Sequence, residues 1–261
     1  MPTSRRIADL AAPDVARLLG ERSVLVQPVG AVEQHGPHLP LSTDLVIAQE
    51  MAERVVARRG EELDLWLLPA LAYTKSDEHA WAPGTIALRA QTLLAVLDDI
   101  GRSLATLPAN RLAFLNGHGG NTALLAVANR ELRRAHGLMT FLLHPRLPRD
   151  SGGGAGEDPA ELGMGVHAGR DETSIMLHLR PELVDMTKAA RAVPEQLAGN
   201  QHVTFGGSVA FGWCSDDLHP SGVIGDPTLA GAELGAQLVE QMVAQLGDEL
   251  AEVAAFEFPS G

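Results

Sequence analysis

The chain has 261 residues and a formal net charge of −13, with 45% apolar and 20% charged residues. These values fit a folded α/β domain and exclude a disordered chain, while the acidic excess argues against a nucleic-acid or anionic-membrane partner, because nothing is left over to neutralise phosphates. A lone cysteine, Cys214, excludes an intrachain disulfide and suits the reducing cytoplasm, and no apolar run is long enough to span a bilayer.

Taken in chain order, short apolar runs alternate with helical periods. Met1 to Ala12 carries Arg5, Arg6 and Asp9 and no apolar run, so it predicts neither a signal peptide nor an anchor. Ser23 to Gly30 (SVLVQPVG) predicts a strand ending in glycine. Ser42-Thr43-Asp44 offers N-caps for a helix in which Ile47, Met51 and Val55 recur every four residues until Gly60. Leu65 to Tyr73 predicts a second strand, interrupted by Pro69, and Leu93, Leu97, Ile100 and Leu104 stripe a second helix. Arg111 to Leu115 and Leu138 to His144 predict two more strands, separated by a helix marked by Leu124, Ala128 and Leu132. Arg146 to Gly165 contains Ser-Gly-Gly-Gly-Ala-Gly and reads as a loop, a candidate active-site flap. Val193 to Gly225 is irregular, and Leu234, Leu238, Met242 and Leu246 mark a long C-terminal helix. Such alternation implies an α/β fold with a mostly parallel central sheet, as a single domain over residues 1–261.

The polar residues fall where the predicted strands end. Glu33, His35, His38 and Asp44 follow the first strand, and Asp77, Glu78 and His79 follow the second. Asn116-Gly117-His118-Gly119-Gly120-Asn121 follows the third, and His167-Ala168-Gly169-Arg170-Asp171-Glu172 comes later. In an open parallel sheet, ligands bind beyond the carboxyl ends of the strands, so these loops aim carboxylates and imidazoles at one crevice. Glu33 and His35 are two apart and point the same way in extended chain. The two oxygens of Asp44 can bridge two cations. Mixed carboxylate and imidazole ligands suit Zn²⁺, Mn²⁺ or Fe²⁺. Among the remaining residues, Glu78 and His79 are read as lining the pocket or supporting ligands, and Asn116 as orienting its loop or a substrate carbonyl. His38 is read as packing or as supporting a ligand, His178 as a packed helix residue, Trp81 and Trp213 as packing residues or pocket walls, and Cys214 as a buried thiol.

Together, Glu33-Gln34-His35-Gly36-Pro37-His38-Leu39-Pro40 with Asp44, Asn116 to Asn121, and His167-Ala168-Gly169 with Glu172-Thr173-Ser174 resemble the creatininase (creatinine amidohydrolase) family. Glu78-His79 followed by Pro83-Gly84-Thr85, and Ser221 to Pro227, extend the resemblance from about residue 5 to residue 245. The resemblance implies a three-layer α/β/α fold, a homohexamer and a metal-dependent amidohydrolase with two divalent ions, zinc foremost and manganese or iron as alternatives. It implies Glu33, His35, Asp44 and His118 as metal ligands, with Asp44 bridging. Creatininase proper carries Tyr and a metal-binding Glu just after the histidine matching His118. Here Gly119 and Gly120 stand there, so Glu172 is the candidate for the second ion. Val166 also replaces an acidic residue before His167, the expected general acid. Both departures point to a branch other than creatininase proper, such as those acting on formamides or on the mycofactocin precursor peptide. The implied substrate is a cyclic amide, a formamide or a short peptide.

Two other classes are weighed against this reading. A non-catalytic doubly wound nucleotide- or small-molecule-binding protein needs a glycine-rich phosphate loop, yet no Gly-x-Gly-x-x-Gly follows the first strand and no Gly-Lys-Ser/Thr occurs. A scaffold that kept the fold and lost catalysis is opposed by the presence of all five ligand candidates.

Overall fold

The computed structural model describes residues 4–145 and 159–259. Four parallel strands, β1 (Val24–Val29), β2 (Leu65–Leu67), β3 (Arg111–Asn116) and β4 (Met139–Leu143), form one sheet in the order β2-β1-β3-β4. Each of the first three strands is buried along its whole length, because helices cover both faces. Alternate side chains divide between two cores. Val24, Val26, Leu65, Leu67, Ala113 and Leu115 pack against α2 (Thr43–Leu63), α5 (Arg170–Leu179) and α7 (Ala232–Ala255). Leu25, Val29, Trp66, Leu112 and Phe114 pack on the other face with α3 (Ala90–Leu104), α4 (Thr122–His136) and residues beside α1 (Ala12–Leu18). The result is a parallel sheet, as the strand–helix alternation implies, in a three-layer α/β/α fold, as the resemblance implies.

Two prolines shape the edge of this sheet. Pro69 ends β2 after three residues, so the second predicted strand is shorter than Leu65 to Tyr73. Pro28 is tolerated inside β1 because its backbone faces that shortened edge, where its carbonyl accepts from Leu71 N–H at 3.0 Å. A residue's N–H and C=O point the same way in a strand, so the missing donor costs no bond to β3. Residues 193–225 carry a 3-10 turn, the four-residue helix α6 (Ser215–Leu218) and bridges from Ile224 and Gly225 to His167 and Ala192. Most of the predicted flap, residues 146–158, lies outside the described residues. Among the described residues no helix is long and apolar enough to cross a membrane.

α5 and α7 approach closely at Gly235, where a Cβ would overlap the Ser174 carbonyl. Backbone cannot move aside as a side-chain tip can. Gly235→Ala is therefore expected to destabilise the fold by about 1–3 kcal/mol through overpacking, despite alanine's better helix propensity. A thermal melt checks this, and an unchanged or raised midpoint contradicts it.

Candidate metal centre

The loop after β1 carries Glu33, Gln34 and His35, all buried. Asp44 lies in the first turn of α2, where the positive end of the helix favours a carboxylate. This turn reaches the strand ends because Gly117, just past β3, has no side chain. A Cβ there would stand 2.9 Å from both the Asp44 carbonyl and Ala48 Cβ. His118 follows directly. His79 comes from a 3-10 turn (Asp77–His79), and His167 and Glu172 flank the N-terminus of α5.

These residues converge. Asp44 Oδ1 lies 3.1 Å from His35 Nε2, and its Oδ2 lies 3.0 Å from His118 Nδ1. One carboxylate thus offers an oxygen to each of two imidazoles. Each ring is oriented from behind by a carbonyl: His35 Nδ1–H donates to Glu33 O at 3.2 Å, and His118 Nε2–H donates to Lys75 O at 2.8 Å. Such partners fix which nitrogen faces an ion. Glu33 Oε1 lies 3.3 Å from His118 Nδ1, 3.5 Å from His79 Nε2 and 3.8 Å from His167 Nδ1. Both Glu33 oxygens and Asp44 Oδ2 are buried without a hydrogen-bond partner. Orphaned buried carboxylate oxygens are costly unless a cation satisfies them. Candidate ligand groups are Glu33–His35–Asp44, His35–His167–Glu172 and Glu33–His79–His167. The donor set fits divalent ions, with oxygen and imidazole nitrogen and no thiolate.

The electrostatics agree. Burial opposes charge on His35, but Asp44's charge and hydrogen bond push its pKa up to about 9. His118 is likewise raised well above the usual value, with Glu33 and Asp44 outweighing burial. Burial raises the Glu33 carboxyl, helped by Asp44. Asp44 itself is held well below the carboxylate range, since His35 and His118 overcome its burial. His79 falls to about 3 and His167 well below its usual value, through burial and then the positive charge of His35. Without an ion, protons on His35 and His118 therefore balance the carboxylates. Ions bound at His35 Nε2 and at His118 Nδ1 must expel those protons. Adding Zn²⁺ to metal-free protein at about pH 7 is expected to release them, with affinity falling about tenfold per pH unit for each displaced proton. The release from His35 fades above about pH 9, where that proton has already gone. An indicator dye in weak buffer reads the release, and equal affinity at about pH 6 and pH 8 contradicts it.

The other sequence candidates divide. Glu172 is half-buried; its Oε2 accepts from Ala168 N–H at 2.6 Å, and burial, with help from Asp44, raises its pKa to about 7. That bond holds Ala168 at φ 54, a left-handed conformation unusual for alanine, in the turn that aims His167. Glu78 lies behind His118, with Oε1 3.6 Å from Nε2. Gly120 makes the room, since a Cβ there would overlap the Glu78 carboxylate. Asn116 spends its amide on its own loop, donating to His118 O at 2.8 Å and accepting from His118 N–H at 3.3 Å. It therefore positions His118. His38 is buried against Thr173, with 3.0 Å between Nε2 and Oγ1.

Other expectations are corrected. Cys214 is exposed rather than buried, because it caps the N-terminus of α6 at the surface. His178 is exposed rather than packed away, at the margin of the α5–α7 contact with its Cβ beside Gly235. Two residues contribute more than the sequence signals. His79 stacks on His167, with ring centroids 4.0 Å apart, and Gln34 bonds to both rings. Gln34 escapes the alternation argument, which places residue 34 opposite Glu33 and His35.

A family model described as creatinine amidohydrolase matches residues 8–250. A mycofactocin precursor peptide peptidase of Mycobacterium ulcerans is 41% identical over 85% of this chain and 81% of its own. A creatinine amidohydrolase of Pseudomonas putida is 31% identical over 94% and 93%. Among solved structures, a mutant creatininase of Zn-Zn type aligns with TM-score 0.73 and 27% identity, covering 96% of this chain and 98% of that one.

Proposed function

The chain belongs to the creatininase family, and from that premise we propose that it hydrolyses an amide C–N bond of a short peptide, as a single hydrolase domain. It is a metal-dependent amidohydrolase. The observation that carries the reading is Asp44, whose two oxygens face His35 and His118 beside the orphaned Glu33 carboxylate. Glu33, Asp44 and His118 would hold one divalent ion. His35, Asp44 and Glu172 would hold the other. Zinc is the first choice, supported by the Zn-Zn relative. When bound, such ions lower the pKa of a water from 15.7 to about 7 and polarise the scissile carbonyl.

The chain's own groups do the rest. His167 Nε2–H donates to Gln34 O at 2.8 Å, so its Nδ1 is bare and faces the centre. That nitrogen takes the proton of the attacking water and returns it to the leaving nitrogen, so the expected general acid first acts as base. Glu78 and Asn116 hold His118 and its loop. Four relatives at 35–41% identity are peptide peptidases, whereas the creatinine amidohydrolase is more distant at 31%, which favours a peptide over a cyclic amide. The nucleotide-binding alternative stays without the glycine-rich phosphate loop it needs. By resemblance the assembly is a homohexamer.

The test is a panel of creatinine, a formamide and a peptide offering a C-terminal dipeptide, given to the zinc-loaded protein. Cleavage of the peptide with creatinine intact is the expected result. Full metal loading with no amide cleaved contradicts the proposal.

A further inference from the structure

His79 lies outside the ligand set proposed above, yet it is buried in the same space as His167. The two rings stack with centroids 4.0 Å apart and planes 23° from parallel. Both face Glu33 Oε1, His79 through Nε2 and His167 through Nδ1. One residue, Gln34, touches the far side of each ring.

Its contacts decide where the ring protons sit. The Gln34 backbone carbonyl only accepts, so His167 Nε2, 2.8 Å away, carries a proton, and Nδ1 of the neutral ring is bare. The Gln34 amide nitrogen lies farther from that Nε2, at 3.2 Å, and its two hydrogens have other acceptors in His79 Nδ1 at 2.9 Å and Gly222 O at 3.3 Å. The Gln34 side-chain oxygen accepts from Gly36 N–H at 2.9 Å. That bond turns the NH₂ end toward the rings, 2.9 Å from His79 Nδ1. A flipped amide would set NH₂ against the Gly36 N–H. An amide NH₂ only donates, so His79 Nδ1 accepts, and the single proton of the neutral ring sits on Nε2. Ser215 Oγ, 2.9 Å from the same nitrogen, is compatible, since it accepts from Trp81 Nε1–H at 2.8 Å and can donate to Nδ1 or to Glu78 O.

We propose that Gln34 is a positioning residue that fixes opposite tautomers in the stacked pair, and that His79 Nε2–H is a catalytic hydrogen-bond donor to the substrate's carbonyl oxygen. The donor role rests on the amidohydrolase reading. The water oxygen bonds to the carbonyl carbon, and the carbonyl π pair moves onto the oxygen, which His79 Nε2–H stabilises while keeping its proton. One water proton goes to His167 Nδ1 and from there to the leaving nitrogen as the C–N bond breaks. The other leaves with the carboxylic acid product. A protonated Nε2 has no lone pair for an ion, so His79 is not a ligand.

Nitrogen NMR of zinc-loaded protein labelled at histidine reads both rings directly. The expected pattern is a protonated Nε2 and bare Nδ1 on His79, with wild-type zinc content retained in His79→Ala. In Gln34→Glu the carboxylate can only accept, so the His79 tautomer should reverse with zinc unchanged and turnover lower by about 10²–10³-fold, the usual loss on removing one such donor. A bare His79 Nε2 shifted by zinc, or zinc loss in His79→Ala, overturns the proposal by making His79 a ligand. A Gln34→Glu protein that folds without tautomer reversal removes Gln34 as the setter. If that variant does not fold, the wild-type tautomer still decides. Failure of the hydrolase reading shows instead in the substrate panel, with the tautomers as described.

Discussion

Asp44→Asn is expected to lower turnover by about 10³-fold or more while the protein stays folded. The substitution keeps the shape of the side chain and removes the charge shared by His35 and His118. The amide offers one oxygen where two would be needed, so one of the two ions would lose its ligand and the other would keep only a neutral one. A metal supplies several kcal/mol of transition-state stabilisation, and each 1.36 kcal/mol is tenfold in rate. Steady-state hydrolysis of the peptide, with circular dichroism as the folding control, reads the effect. Wild-type turnover in the variant contradicts a bridging role.

His167→Ala is expected to cut turnover by about 10²–10⁴-fold, the usual contribution of a positioned acid–base group, at unchanged metal content. Its bare Nδ1 faces the centre because Gln34 O holds the opposite nitrogen. Burial, helped by the neighbouring His35 in the metal-free protein, keeps it neutral, so Nδ1 holds its lone pair. The combination of rate loss and intact metal separates a proton carrier from a ligand. Loss of an ion in the variant would move His167 into the ligand set with His35 and Glu172. Normal turnover would remove it from the reaction.

Much of this was legible before the structure. The apolar runs of β1 and β3 are continuous because helices cover both faces of the sheet, and the helical stripes of α2, α3, α4 and α7 face the cores, although Ile100, Leu124 and Leu234 are only partly buried and Leu125 takes the buried place beside Leu124 in α4. Glu33, His35, Asp44 and His118 converge because strand ends in a parallel sheet share one edge. Local reasoning was weaker where tertiary contacts decide. Pro69 cuts β2 to three residues, although the apolar run continues past it. Spacing alone leaves Asn116 to orient either its loop or a substrate carbonyl and cannot choose; its amide bonds to its own loop. The partnership of Glu78 with the space at Gly120 links residues in separate loops far apart in the chain, and no pattern within either segment signals it. Gln34 and His79 act through one amide whose orientation is set by Gly36 N–H, a contact invisible to spacing.

The central claim is that buried Glu33, His35, Asp44 and His118, with Glu172, hold a pair of divalent ions. Elemental analysis of the wild-type protein, purified without chelator and repleted with zinc, tests it most directly. The account predicts about two ions per chain, the count needed for a bridged pair. One ion per chain would remove Glu172 as a ligand, and none at all would contradict the account.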